Sequence, residues 1–440
     1  MAILMLAPAH AGRASADTGT APGQPASPVL SGADGIAANA SADDQGTATA
    51  TRPPVTTGWR DGFVLQSEDG EFRLQLGLLV HADGRFAADD EAAAVTDTFA
   101  LRRVRPYLRG RLARRFEFFL NPDFAGGNLV VQDAYLDTVF APAFRIRAGK
   151  GKTPFGLERL HSASNLLFFE RALPTALVPN RDIGVQALGD LAGGRVSYAA
   201  GVMNGVPDGG SADLDTNDGA DLSGRVVGRP FATAGSSPLR GLGLALSGSV
   251  GKQSGALALP TFRTSSLQQP FFSYLGTGAI ADGTRTRYSP QVWFFYKAFG
   301  GWAEYVRTET PVRTPTTAAR DIGHTAWQVA ASWVVTGEAA TDAGAGVRPR
   351  RNFEFGNGGW GALQLAARYH VLSVDPQAVA LGLAAPGASR KAEAVTIGAT
   401  WFLNPHVKYV FNVERTVFGD DPEGRRRAEH ALVFRTQLSL

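Results

Sequence analysis

From Gly58 onward, hydrophobic and polar residues alternate along the chain, segment after segment. In "EFRLQLGLLVHADGRF", Phe72, Leu74, Leu76, Leu78 and Val80 share one face of an extended chain, and Arg73, Gln75, His81, Asp83 and Arg85 share the other. A strand produces this sorting because successive side chains point to opposite sides. "NLVVQDAYLDTVF" sets Asp133, Tyr135 and Asp137 against Ala134, Leu136 and Phe140, and "GALQLAARYHVL" sets Gln364, Arg368 and His370 against Leu363, Leu365 and Tyr369. "AVTIGATWFLNPHVKYVFNVE" gives Val395, Ile397, Ala399 and Trp401, a tight Asn404-Pro405 turn, then Val407, Tyr409, Phe411 and Val413, with Lys408 and Glu414 facing the other way. About sixteen such segments follow one another to the terminal "HALVFRTQLSL".

The connections alternate as well. Short turns ("LARR", "FAPAF", "FLNPH") are interleaved with polar loops at 86–98, 204–221, 253–285 and 337–359. A soluble β-sandwich also alternates, but it has no reason to gather its short turns at one end. Phe140, Phe144, Trp302, Trp333, Trp401 and Phe402 sit near strand ends, as the aromatic girdles of a membrane barrel do. The pattern predicts an all-β, sixteen-stranded antiparallel transmembrane β-barrel over residues 58–440. One connection is different. "KGKTPFGLERLHSASNLLFFERALPTALVPNRDIG" is too long for a turn and too apolar for disorder, so it must pack against something. It is expected to fold inward against the barrel wall, with an extracellular cap as the alternative.

Residues 101–111, "LRRVRPYLRGR", carry five arginines and no acid. A strand puts Arg103, Arg105, Arg109 and Arg111 on one face with Tyr107 among them, and Val104, Pro106 and Leu108 on the other. Whatever meets that face is expected to be negative. Most of the 43 basic residues are arginine, the side chain suited to forked recognition of oxyanions. The net charge of +3 is too small to draw nucleic acid by bulk attraction. With no cysteine, disulfides, thiolate metal sites and cysteine nucleophiles are excluded. No stretch is long and apolar enough for a transmembrane helix. Residues 1–16 resemble the remnant of a signal peptide, and 17–57, which almost lack large apolar side chains, read as a disordered linker.

Enzymatic and cofactor motifs are weak. "AGKGKT" ends like a phosphate-binding loop, but Ile146 stands where glycine is needed. "GNGGWG" leads from loop to strand rather than from strand to helix, and no Gly-x-Ser-x-Gly or His-Glu-x-x-His is present. The 7 scattered histidines offer little for a metal. Neither an enzyme nor a resident cofactor is expected. "RPRRNF" at 348–353, in a long loop, is either an electropositive mouth or simply a soluble segment.

The succession "FALRRVRPYLRG", "NPDF", "VQDAYLD", "IRAGKGKTPFGLERL", "FFERAL", "RDIG", "GALQLAARY" and "IGATWFLNPHVKYVFN" resembles the phosphate- and polyphosphate-selective porins of Gram-negative outer membranes. The resemblance implies a lipid-embedded, usually homotrimeric barrel whose third loop narrows the pore to an anion-binding zone. Carried over residue by residue, that zone holds Arg102, Arg103, Asp133, Arg159, Ser162, Arg171 and Lys408. Leu78 replaces an arginine expected on the first strand, and Ala163 replaces the second of two serines. Strand parity sends Arg102 outward beside an inward Arg103, a conflict that a bulge, or a place for Arg102 above the lipid band, would resolve. Arg85, Arg105, Arg109, Arg147 and Arg368 are expected to line the lumen, replacing the hydration of an anion by forked hydrogen bonds. Asp133 would either accept a hydrogen bond from a partly protonated phosphate or brace the neighbouring arginines. A general or sugar-conducting porin is the alternative; it wants a track of lumen aromatics, where these positions read Arg, Gln, Asp and Tyr.

Overall fold

The computed structural model describes residues 55–59, 62–88, 95–214, 219–255, 259–341, 346–419 and 426–440. The signal remnant at 1–16 and nearly all of the linker at 17–57 lie outside them. Among the described residues the first elements are β1 (Val55–Trp59), β2 (Phe63–Ser67), β3 (Arg73–Ala88), β4 (Thr98–Leu112) and β5 (Phe116–Asp123). Next come β6 (Val130–Ala141), β7 (Phe144–Lys152), β8 (Arg181–Leu191), β9 (Val196–Met203) and β10 (Asp221–Gly228). They are followed by β11 (Leu242–Gly255), β12 (Thr261–Arg263), β13 (Pro270–Ser273), β14 (Ile280–Tyr296) and β15 (Phe299–Arg313). The last are β16 (Arg320–Val334), β17 (Ala362–Ser373), β18 (Lys391–Phe402), β19 (Val407–Gly419) and β20 (Glu429–Ser439).

Strands β3–β11 and β14–β20 pair with their neighbours antiparallel, and β20 pairs back to β3, His430 opposite Ala88 and Ser439 opposite Leu79. Sixteen strands thus close a barrel without an edge, as the alternation predicts. Closure leaves every strand's backbone paired, the condition for crossing lipid. The outward face is apolar and open: Ile397 and Val413, which the alternation put there, are exposed, as are Leu246 and Val329, although mean hydropathy over the chain is only −0.07. Phe140 and Phe144 stack at one turn, and Phe299 stacks on Trp333.

Four features depart from the sequence expectation. Trp302 and Phe402 do not join the girdle but face inward, buried, because they share parity with Glu304 and Thr400. The segment 253–285 is not one loop: β11 and β14 extend into it, and the hairpin β12–β13 folds within it. The connection containing 337–359 joins β16 to β17 at the end that carries the short turns, so "RPRRNF" lies opposite the long loops, with the Arg350 guanidinium donating to the Gly337 carbonyl. Finally, Val55–Thr57, placed in the linker, form part of β1, which pairs with β2; β2 in turn extends the foot of β3.

The interior is lopsided. The inner faces of β15–β17 carry Val306, Val312, Ile322, Ala326 and Leu372, all buried against Phe155, Leu177 and Phe262 from inserted loops. The inner faces of β3–β8 are polar and arginine-rich. That division positions everything below. Replacing lipid-facing Ile397, midway along β18, with arginine is expected to cost about 2–4 kcal/mol of barrel stability; urea unfolding in liposomes reads this, and an unchanged midpoint would mean the face does not meet lipid.

Candidate functional site

The connection from β7 to β8, residues 153–180, bonds to strands all round the cylinder and therefore crosses its interior. Its Leu157 N–H donates to Glu304 on β15 (2.6 Å), Phe169 N–H to Asn412 on β19 (2.6 Å), and Gln437 on β20 donates to the Ser164 carbonyl (2.7 Å). The apolar residues that argued against disorder are its core. Phe168 lies under the Arg368 guanidinium (4.4 Å to the ring centroid), and Phe169 lies against Arg435 (4.4 Å) and Arg85 (5.3 Å).

Glu170, next in sequence, is where the wall arginines converge. Its Oε1 accepts from Arg102 Nε (2.7 Å) and Arg85 (3.4 Å) and lies 3.5 Å from Arg435; its Oε2 accepts from Arg103 (3.2 Å). Asp83 holds Arg435 through both oxygens at 2.7 Å. Arg102 reaches this point through a bulge: the β3–β4 register steps from His81–Arg103 to Ala82–Leu101, so Arg102 is the unpaired extra residue. Both members of the double arginine therefore turn to one carboxylate. Burial alone would raise the Glu170 carboxyl, but Arg103, Arg102, Arg435 and Arg85 hold it well below the usual range.

The arginine run lacks acids in sequence but not in space. Arg105 pairs with Asp123 (2.7 Å), Arg147 with both oxygens of Asp137 (2.7 and 2.8 Å), and Arg368 lies 3.4 Å from Glu158 and 3.5 Å from Glu414. Asp133 is committed too: Arg181 donates to both its oxygens (3.0 and 3.1 Å), and Asn121 to one (2.8 Å). Its geometry is that of a brace. Arg159 and Arg171 stay within the loop, donating to the carbonyls of Thr175, and of Glu158 and His161. Burial lowers them to about 9 and about 10, so both remain cations at neutral pH.

Between the loop and the polar wall lies a cavity of about 310 Å³. Arg105, Arg109, Arg147, Lys152 and Arg181 line it against a single acid, Asp133, with Ser162 on the loop side. Arg109 has no carboxylate within ion-pair distance among the described residues; it lies 5.1 Å from the Phe119 ring centroid and 5.9 Å from that of Tyr107. A second cavity, about 450 Å³, opens toward the long loops, and its charged lining is Arg85 and Arg102 with Asp83 and Asp123. A third, about 220 Å³, lies toward the turns and includes Lys408, with Tyr107, Ser164 and Ser439 shared with the first. Arg103 and Arg368, buried in ion pairs, line none of these three. Sequence alone did not single out Glu170, Arg181, Arg435 or Phe119. Period-two parity puts Arg435 and Phe119 on the inner face, but nothing local announces the partners of Glu170, which lie 67 or more positions away.

A family model described as phosphate-selective porin O and P matches residues 73–439. Among curated proteins none matches. Solved structures with the same fold include the outer membrane channel DcaP of Acinetobacter baumannii (TM-score 0.55, 13% identity, 86% of this chain and 99% of that one). OmpT of Vibrio cholerae (0.54, 11%, 86% and 100%) and an anion-selective porin from Comamonas acidovorans (0.52, 12%, 84% and 100%) are similar to it too.

Glu170→Gln removes one partner from a buried charge cluster, a change that costs about 3–5 kcal/mol. A lower midpoint of heat unfolding in detergent is expected; an unchanged one would mean the cluster does not hold the loop. Because the folded carboxyl is depressed, its stabilisation is complete above the unfolded value near 4.5 and is lost only as pH falls through the lower folded value. Single-channel currents should therefore stay quiet down to pH 5, and loop noise appearing at pH 6 would contradict this.

Proposed function

The chain belongs to the family of phosphate-selective porins O and P, and on that premise we propose that it conducts phosphate or polyphosphate through an arginine-lined constriction. Membership puts it in the outer membrane of a Gram-negative bacterium and points to a channel rather than an enzyme; barrels of that membrane carry their long loops outside and their short turns in the periplasm, and this reading takes the same orientation. In this reading the assembly is a homotrimer, as is usual in the family.

One observation carries the proposal: five basic side chains and one acid around a single cavity of about 310 Å³ in the interior. Cations fixed on low-dielectric walls raise the local anion concentration. Ion pairing tempers Arg105, Arg147 and Arg181, which conduction needs, since a site must be weak enough to leave. Arg105, Arg147 and Arg181 keep donors beyond those given to Asp123, Asp137 and Asp133, for a guanidinium has five. Arg109 gives its charge undiluted. Arg85 and Arg102 at the outer cavity and Lys408 at the inner one extend the path on either side. Asp133 serves this path by holding Arg181 in place.

The test is a planar-bilayer recording in chloride with phosphate titrated in. Current that falls and saturates at low phosphate is expected; ohmic addition of the two ions would leave a plain pore. Arg109→Gln should raise the half-saturating phosphate concentration about tenfold, the worth of one hydrogen bond to a charged group. An unchanged value would remove Arg109 from the path.

A further inference from the structure

Three aromatic rings cross the wall of the central cavity on adjacent strands. Tyr107 on β4, Phe119 on β5 and Tyr135 on β6 stand 5.9 and 5.7 Å apart, centroid to centroid, and all three line the cavity. The sequence reading had only the two tyrosines on the lumen face. The third ring joins them into a continuous ladder.

Such a ladder is unusual in a lumen meant for water and small ions, because each ring holds apolar surface against a wet space. One rung is already used: Arg147 caps the Tyr135 ring at 3.8 Å while Asp137 holds its charge. The other two rungs carry Arg109, which has no carboxylate partner among the described residues. A guanidinium held over aromatic rings is a flat cation, and a second ring can stack on it or on the ring edges beside it. The size agrees. About 310 Å³ lies at the lower end of the range for small organic ligands and leaves room for more than one bare oxyanion.

We propose that this cavity takes anions that carry an aromatic ring, of the aryl phosphate and aryl carboxylate class. The charged end meets Arg109 with Arg105 and Lys152, and the ring lies along the Tyr107–Phe119 rungs. The proposal rests on the anion-conducting reading and narrows it. Stacking on a protein aromatic is worth a factor of about ten in affinity, so the ring should show as tighter binding rather than as faster flow.

The experiment uses the full chain in planar bilayers, with chloride current blocked by inorganic phosphate, methyl phosphate or phenyl phosphate. Half-block by phenyl phosphate is expected at a concentration about tenfold lower than by methyl phosphate. Phe119→Leu should shrink that phenyl-over-methyl gap to threefold or less, a ratio in which any change in binding of the shared phosphate group cancels. Tyr107→Leu, which removes the other rung of the same pair, serves as a second variant should Phe119→Leu fail to form channels. Equal block by phenyl and methyl phosphate in the parent overturns the proposal, as does a tenfold gap that survives loss of the Phe119 ring. If inorganic phosphate leaves the chloride current untouched, the anion-site reading itself falls, a result distinct from loss of the ring preference alone.

Discussion

A single carboxylate on an inserted loop organises the interior. Glu170 gathers Arg85, Arg102, Arg103 and Arg435 from three different strands, and Phe169 fills the space beside two of them. Stripping water from so many charges is costly, and only their mutual pairing offsets it. The geometry is accordingly over-determined: the loop cannot shift without stranding a buried guanidinium. Where the loop stops, the cavity begins.

The second constraint is the asymmetry of the wall. A barrel of sixteen strands encloses more room than side chains alone fill. On the β15–β17 side the chain solves this with apolar inward residues that receive Phe155, Leu177 and Phe262 as an ordinary core does. On the β3–β8 side the wall stays charged and half-wet. The cavity of about 310 Å³ is accordingly lined from this charged sector, the end of β20 and the inserted loop and, among the described residues, by no side chain from β9 to β19.

Much of this was legible. Parity assigned the faces of β3, β6, β17 and β18 correctly because a one-residue error would have put arginine into lipid, so the pattern is strongly enforced. The inserted loop announced itself by being long and apolar. What the sequence hid were relations between distant segments. The run at 101–111 looks unpaired because Asp123 and Glu170 come from other elements. The inward turn of Arg102 depends on a bulge, which no local composition marks. Trp302 and Phe402 were assigned by nearness to strand ends, where parity would have placed them inside. The connection after β16 looked like an outer loop by length alone, though its place in the alternation of ends puts it with the turns.

The ion pair between Arg435 and Asp83 joins the last strand to the first, where residues more than three hundred positions apart must meet. Contacts of such separation carry a large loop-closure cost and are slow to form. The same arginine also touches the carboxylate that fixes the loop. One guanidinium thus ties the seam of the cylinder to its insert, so opening that seam would take a partner from the loop's carboxylate. Seam and insert thus inspect one another, since neither keeps its full set of ion pairs without the other.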